Sequence, residues 1–199
     1  MAITFDQEIN QMAFIRENDI TEANTKFNIP DCSDPFIILD APHLIKNCRN
    51  NLLNYNIHFG SNGQIAKWEH LIKLFRLENA NILKEVPKLS IAHFYLTPFS
   101  KMRVKLAAQI LSKSVSVAIR KYVNLGQLNN QDLDTADFVE KIDGLFDILN
   151  SQSPSQCGSK QAITSANLTE KLQLFSNYIA WFSSWKFEKN GKFAQHSSL

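Results

Sequence analysis

The sequence contains few of the residues that define several classes of protein. Its 199 residues include three cysteines, six glycines and six prolines. The cysteines, Cys32, Cys48 and Cys157, lie far apart and match no Cys-x-x-Cys spacing. We therefore expect reduced thiols, and neither a zinc site nor a disulfide framework. So few glycines and prolines argue against a loop-rich all-β fold.

Other absences exclude further classes. No apolar run reaches the roughly 18 residues needed to span a membrane, and the amino-terminus does not resemble a secretory signal, so we expect an intracellular protein without a membrane partner. The net charge is only +2, so any surface for nucleic acid must be local. No Gly-x-x-x-x-Gly-Lys-Ser/Thr loop is present, which excludes a P-loop GTPase.

Hydrophobic residues make up 44% of the chain, and fourteen phenylalanines can anchor a core. The apolar run Phe36 to Leu39 predicts a short strand covered on both faces, and Asp40 follows it directly. A basic amphipathic helix is expected from about His43 to Leu53. A carboxylate at a strand end suits Mg²⁺, but Asp40 is equally placed to cap this helix, and the local pattern favours the cap.

The rest of the chain reads as helical. We expect a short helix near 10–18, a turn-rich connection at 29–35, an irregular segment at 79–98, a polar linker at 151–164 and a disordered tail from Lys186. Apolar periodicity predicts longer helices at 68–77, 99–124, from about 135 to 149, and 168–185. The residues thus predict an α+β, mostly α fold: a piece of an α/β sheet followed by an all-α unit.

Several segments resemble P-element-type (THAP-domain-associated) DNA transposases in sequence and in order. Asp6-Gln7 with Asn10 matches an upstream element in degraded form. The longer matches are Phe36 to Asn51 (an Asp-x-Pro-His-Leu-x-Lys-x-x-Arg-Asn-Asn pattern), Pro87 to Ser90, Lys101 to Val115 (a Lys-Met-x-Val-Lys-Leu-Ala-Ala-Gln pattern), and Leu145 to Ser151 (a Leu-Phe-Asp-x-Leu-Asn-Ser pattern).

The resemblance implies a ribonuclease-H-like catalytic domain interrupted by an all-α insertion that binds GTP. Residues 1–64 would be part of the catalytic domain, 65–185 the insertion and 186–199 a disordered tail. Asp40 would be the second of three catalytic, Mg²⁺-binding acids. The family's first acid lies upstream of the matched segments and its third lies after the insertion. We therefore expect a truncated, catalytically incomplete transposase without strand transfer, which meets DNA only in a full-length context. The resemblance also implies a nuclear location.

The resemblance also places nucleotide contacts at Lys88, Arg103 and Ser112, with Val104 packing against the nucleotide. Guanine presents adjacent N–H donors that one carboxylate accepts together, which suits Asp147, with Asn150 meeting nearby acceptors. Asp147 alternatively reads as a polar residue near a helix end.

The pattern Glu140-Lys141-Ile142-Asp143 is a poor match to a guanine-reading motif, because its first position is wrong and it lies within an amphipathic helix. The basic residues Lys101, Lys105 and Lys113 read either as a solvated face or as a surface that follows DNA phosphates.

Further alternatives remain open. His43 can orient Asp40 or bond the backbone of the first helical turn. Lys46 and Arg49, three residues apart, are predicted to share a face suited to phosphate. A ligand-free interaction module that associates with or inhibits a full-length relative is the second hypothesis for function. An active nuclease is the third.

Overall fold

A computed structural model of the chain describes residues 2–5, 9–21, 24–26, 35–151, 153, 155 and 158–194. Several positions lie outside the described residues: Asp6, Gln7, Cys32, Cys157 and residues 29–34 of the turn predicted at 29–35. The chain divides into two compact units, Met1–Leu44 and Ile45–Leu199. The fold is α+β and mostly helical, as predicted. The predicted domain boundary between residues 64 and 65 stays a prediction.

The first unit contains two parallel strands. Its elements are β1 (Ala2–Phe5), α1 (Ile9–Glu17), β2 (Phe36–Leu39) and the start of α2 (Ala41–Asn54). Strand β2 pairs with β1 from Ala2↔Phe36 to Phe5↔Leu39. The prediction of a strand covered on both faces is wrong, because Phe36 and Ile38 are 46% and 52% exposed. An unbroken apolar run predicts the strand but does not reveal whether its second face is covered.

The second unit contains an antiparallel sheet that joins its two ends. The strands are β3 (Asn56–Phe59), β4 (Gln64–Ala66), β5 (Lys186–Lys189) and β6 (Lys192–Phe193), in the order β4-β3-β5-β6. Gly60 and Gly63 both have φ +69°, in the turn between β3 and β4 predicted from the sequence. Glycine adopts this left-handed conformation without steric cost.

The predicted disordered tail is wrong for residues 186–194, and residues 195–199 lie outside the described part of the chain. Asn190 and Gly191 have φ of +53° and +75° and form the two-residue turn between β5 and β6. An Asn-Gly pair is among the strongest hairpin signals in a sequence. The polar composition of the segment favoured a disordered tail in spite of that signal. In the structure, β5 pairs with β3 through Ile57↔Phe187.

Helices fill the rest of the second unit. They are α3 (Trp68–Ala80), α4 (Pro98–Lys101), α5 (Val104–Ile110), α6 (Lys113–Asn124), α7 (Asp132–Leu149) and α8 (Leu168–Ser183), with short 3₁₀ turns at Ile91–His93 and Gly158–Lys160. The single helix predicted over 99–124 is wrong, since it is three helices. Arg103 and Ser112 have extended ψ values of 109° and 155° and begin α5 and α6. Helices α5 and α6 both bury apolar side chains in one core, so apolar periodicity continues across the break between them, whereas α4 has no buried residue.

An aromatic cluster holds the sheet against the helices. Phe138 of α7 is fully buried, with ring centroids of Phe59, Trp181 and Trp185 at 5.6, 5.6 and 5.1 Å. The two tryptophans are buried core anchors. None of the helices within the described ranges has both the length and the apolar character needed to cross a bilayer.

Candidate functional site

Asp40 lies directly after β2 and caps α2. Its Oδ2 accepts the backbone N–H of His43 at 3.1 Å and lies 2.8 Å from the Nδ1 of the same residue. Its own backbone N–H donates to the carbonyl of Phe5 in β1 at 2.8 Å, which fixes the acid at the end of the parallel strands. Asp40 therefore caps the helix, and His43 is placed to orient its carboxylate, whereas the role of Asp40 as a metal ligand stays a prediction.

The residues that the structure describes contain no group of three or more histidine, cysteine, aspartate or glutamate side chains able to hold a metal ion. A single carboxylate does not fit a two-metal phosphoryl-transfer site, which needs two or three converging acids. We therefore derive no metal-dependent step from Asp40.

Lys88 lies in a tight turn with a buried residue at each end. The N–H of Leu89 donates to the carbonyl of Val86 at 3.0 Å, and these two side chains are only 4% and 3% exposed. Lys88 itself is exposed. The turn therefore holds the backbone of Lys88 in place and leaves its ammonium group in solvent.

A buried carboxylate fixes the entrance to this turn. Glu78 of α3 is 1% exposed and accepts the backbone N–H groups of Val86 at 2.8 Å and Glu85 at 3.2 Å. Its Oε1 also accepts the Tyr122 hydroxyl at 2.7 Å. Burial, and then this bond, raises the pKa of Tyr122. A buried acid with several donors is a strong local constraint, because losing any donor leaves charge unpaired.

His93 connects the Lys88 turn to α5. The ring is 2% exposed. Its Nδ1 lies 3.1 Å from the backbone N of Ser90, and its Nε2 lies 3.1 Å from Oε1 of Gln109 in α5. The backbone carbonyl of Gln109 accepts the Ser112 hydroxyl at 2.8 Å. One histidine and one glutamine thus join the elements that carry Lys88, Arg103 and Ser112.

Arg103 and Val104 form the start of α5. Arg103 is exposed and occupies the cap position, where its carbonyl accepts the N–H of Ala107, and Val104 is partly buried as the first helical residue. The side chain of Arg103 is therefore placed at a junction between two short helices.

Arg49 corrects one expectation from the sequence. Its side chain is fully buried, donates from Nη2 to the carbonyl of Lys101 and from Nε to Asn50, and has its pKa lowered by burial. It therefore does not share an exposed phosphate-binding face with Lys46. The spacing of Ile45, Arg49 and Leu52 already places Arg49 on the buried side of α2.

The start of α6 meets the acids of α7. The backbone N–H of Lys113, which follows Ser112, donates to the carboxylate of Asp143. Burial, and then the neighbouring charge of Asp147, raises the pKa of Asp143 above its usual range. Asp147 Oδ2 lies 3.7 Å from the ammonium of Lys160. Ser112 and Asp147 are thus linked through the Lys113–Asp143 contact.

Asn150 ends α7 as its capping residue and is exposed. It lies three residues after Asp147, so the two residues share one face at the carboxyl end of the helix. The predicted polar linker after it contains an isolated bridge between Ser153 and Gln161 and the 3₁₀ turn of Lys160.

A second buried group, around His70, stabilises the packing of α3 against α7. The Thr135 hydroxyl accepts the N–H of Lys67 and lies 2.7 Å from Nδ1 of His70, and Nε2 of His70 lies 3.3 Å from Asp132. This order resembles a nucleophile, base and acid. The hydroxyl and the carboxylate are fully buried, however, so the group ties α3 to α7 and offers no access to a substrate.

The cations of this region fall into two groups. No aspartate or glutamate occurs between Glu85 and Asp132 in the sequence. Three cations of that stretch pair with acids from neighbouring segments: Lys113, Arg120 and Lys121. The others form no ion pair with any acid in the described part of the chain: Lys88, Lys101, Arg103 and Lys105.

Contacts through His93 and Gln109 thus join the segments that carry Lys88, Arg103 and Ser112, and Lys88 and Arg103 are exposed without an ion pair to any acid among the described residues. Sequence reasoning missed four linking residues: His93, Gln109, Asp143 and Lys160. The Gln109 position within the matched Lys101–Val115 segment was the available signal. Cys48 contributes nothing reactive, because burial raises the pKa of its thiol to about 12.

Three comparisons with known proteins agree with one another. The profile of the family described as TNP-like, GTP-binding insertion domain matches residues 42–162. The Transposable element P transposase of Drosophila melanogaster is 31% identical over 160 residues, which cover 79% of this chain and 21% of that protein. The human DNA transposase THAP9 is 31% identical over 117 residues, covering 57% of this chain and 12% of that protein.

A solved structure of the Drosophila P element transposase strand transfer complex matches with a TM-score of 0.76 and 27% identity. The match covers 88% of this chain and 40% of that chain. The present chain therefore spans well under half of each relative that it matches.

Proposed function

Because this chain belongs to the family of TNP-like, GTP-binding insertion domains and is a P-element-type transposase relative, we propose that it binds a guanine nucleotide in the helical part of its second unit. The observation that carries the proposal is the pair of exposed, unneutralised cations on two elements that His93 and Gln109 join. Uncompensated cations held on fixed backbone are what a triphosphate requires.

The phosphate end of the ligand falls to Lys88 and Arg103. Lys88 supplies a point charge from a rigid turn, and Arg103 supplies a planar group suited to two phosphate oxygens. The Ser112 hydroxyl donates to Gln109, and its remaining lone pairs can accept a donor from the ribose. Val104 offers an apolar contact beside Arg103. GTP with Mg²⁺ remains the proposed ligand form, with Mg²⁺ held by the phosphates.

Guanine selection falls to Asp147. Its carboxylate can accept the ring N–H and the exocyclic amino group of guanine together, a pair of donors that adenine lacks. The competing partner, Lys160, is 60% exposed and 3.7 Å away, so the existing ion pair is weak and easily replaced. Asn150, on the same helix end, would donate to the guanine carbonyl.

Calorimetric titration with GTP and ATP tests this proposal. We expect saturable GTP binding below about millimolar concentration. Asp147→Asn should weaken GTP binding about tenfold or more, because an amide replaces the carboxylate that accepts two donors, and should leave ATP binding unchanged. Glu170→Gln, an exposed acid at the start of α8, removes the same charge and should change neither. Absence of saturable GTP binding by the unmodified protein would falsify the proposal.

For DNA, we propose that Asp40 contributes one ligand of a metal site whose other acids come from outside the described residues. The DNA transposition activity of the relatives, and a nuclear location with it, would apply to this chain only where those further acids are supplied. Incubation of the chain with supercoiled DNA and Mg²⁺ should produce no nicked circles. Nicking that Asp40→Ala abolishes would contradict this view and restore the nuclease hypothesis.

A further inference from the structure

The ring of His93 contacts two segments of the chain. Its Nδ1 lies 3.1 Å from the backbone N of Ser90 and 3.2 Å from both the hydroxyl and the carbonyl oxygen of the same residue. Its Nε2 lies 3.1 Å from Oε1 of Gln109. Both ring nitrogens therefore have a partner, in a residue that is 2% exposed.

The two contacts of His93 restrain the two segments that carry the cations of the proposed nucleotide site. Ser90 is two residues after Lys88 and directly follows Leu89, the buried end of the Lys88 turn. Gln109 lies in the last turn of α5, the seven-residue helix that begins with Val104, next to Arg103. A helix this short moves as one body, so a bond to its last turn sets the position of its first.

We propose that His93 is a positioning residue for the nucleotide site, and that it fixes the distance between Lys88 and Arg103 so that both act on one polyphosphate. This inference rests on the proposed function. Two cations contribute fully to ligand binding only if their segments are already ordered, because ordering a loop on binding costs free energy. The contacts of His93 order both segments in the folded protein before the ligand binds.

Two substitutions separate the two bonds. In His93→Asn the amide oxygen replaces Nδ1 as acceptor for Ser90, but nothing reaches Gln109. In His93→Gln the amide nitrogen reaches Gln109 as Nε2 does, but the acceptor for Ser90 is lost. Gln109→Met removes the same link as His93→Asn from the opposite side, at nearly constant volume. We expect each to weaken GTP binding about tenfold, the value of one buried hydrogen bond.

A double-mutant cycle distinguishes positioning from simple support of the fold. If His93 acts through Lys88, then His93→Asn should weaken binding about tenfold in the unmodified protein and by less than about twofold in a Lys88→Ala background. Lys105→Ala is the matched control: this exposed cation lies two residues from Arg103, and in that background the tenfold loss should persist. Thermal unfolding without nucleotide records whether each variant is folded.

The outcomes are separable. GTP binding by the unmodified protein with an equal loss from His93→Asn in both backgrounds would reduce His93 to structural support and overturn this inference alone. An unchanged affinity in His93→Asn, His93→Gln and Gln109→Met would do the same. No GTP binding by the unmodified protein would defeat the proposed function and this inference with it.

Discussion

At the scale of single residues, Asp143 shows how burial and hydrogen bonding oppose each other. Burial and the charge of Asp147 raise its pKa, whereas the donated N–H of Lys113 and the charge of Lys160 lower it, and the net shift is upward. The carboxyl group therefore accepts a bond at the start of α6, although burial and the neighbouring carboxylate destabilise its charged form. Arg49 is a comparable case, a buried cation that holds a helix-end carbonyl.

The raised pKa of Asp143 predicts a pH dependence of stability. A carboxyl whose folded pKa exceeds its unfolded value binds more protons in the folded state, so the free energy of unfolding falls as pH rises from the unfolded value towards the folded one. Asp143→Asn keeps an oxygen acceptor for Lys113 and removes the titration. Urea unfolding at a series of pH values from about 3.5 to 7 should show a smaller fall for Asp143→Asn than for the unmodified protein.

Glu188 provides the contrast within the same experiment. Its pKa is lowered, first by the bond from Asn56 and then by that from His58, so its contribution is present above the unfolded pKa and is lost on acidification. In Glu188→Gln the free energy of unfolding should therefore rise less with increasing pH than in the unmodified protein, in the range where Glu188 ionises. A profile that is identical for Asp143→Asn and the unmodified protein would contradict the account of Asp143.

At the scale of elements, sequence patterns predicted which segments are helical but not where helices break. Arg103 and Ser112 each begin a helix within the stretch predicted as one. Apolar spacing continues across the Ser112 break because α5 and α6 both bury side chains in one core, whereas α4 has no buried residue. The breaks are what the candidate site uses, because Arg103 and Ser112 lie at them and not on a continuous helical face.

The β5–β6 hairpin is an element that composition concealed. Both turn residues have positive φ, which costs an ordinary side chain about 1–2 kcal/mol. Gly191→Ala should therefore lower the free energy of unfolding by about 1 kcal/mol, measured by urea denaturation. Nothing lies within 4 Å of a Cβ added at Gly191, so any loss reports backbone strain and not a clash.

Asn190→Gly is the matched control for that change. Glycine accepts the same positive φ more readily than asparagine, so this variant should be as stable as the unmodified protein within about 0.5 kcal/mol. Equal stability of Gly191→Ala and Asn190→Gly would mean that the hairpin contributes little to the folded state.

At the scale of the whole molecule, the residues predicted a small sheet followed by helices, and the resemblance correctly identified the family. The pairing of distant strands could not be predicted from the sequence, because no local pattern in Asn56–Phe59 indicates that Lys186–Lys189 is its neighbour. For the site, the resemblance placed nucleotide contacts at Lys88 and Arg103, and the donors of guanine suited Asp147; these three stay predictions. The links through His93, Gln109 and Asp143 required coordinates.

The pairing of β3 with β5 has a consequence for how the helical part of the second unit can be inserted into a larger protein. The chain passes through β3 and β4 before it enters the helices, and it returns along β5, which pairs with β3 about 5 Å away. A host protein can therefore accommodate the entire helical body between two adjacent points of its own backbone, as it would a long surface loop. Acquisition or loss of such a cassette during evolution would demand little rearrangement of its surroundings.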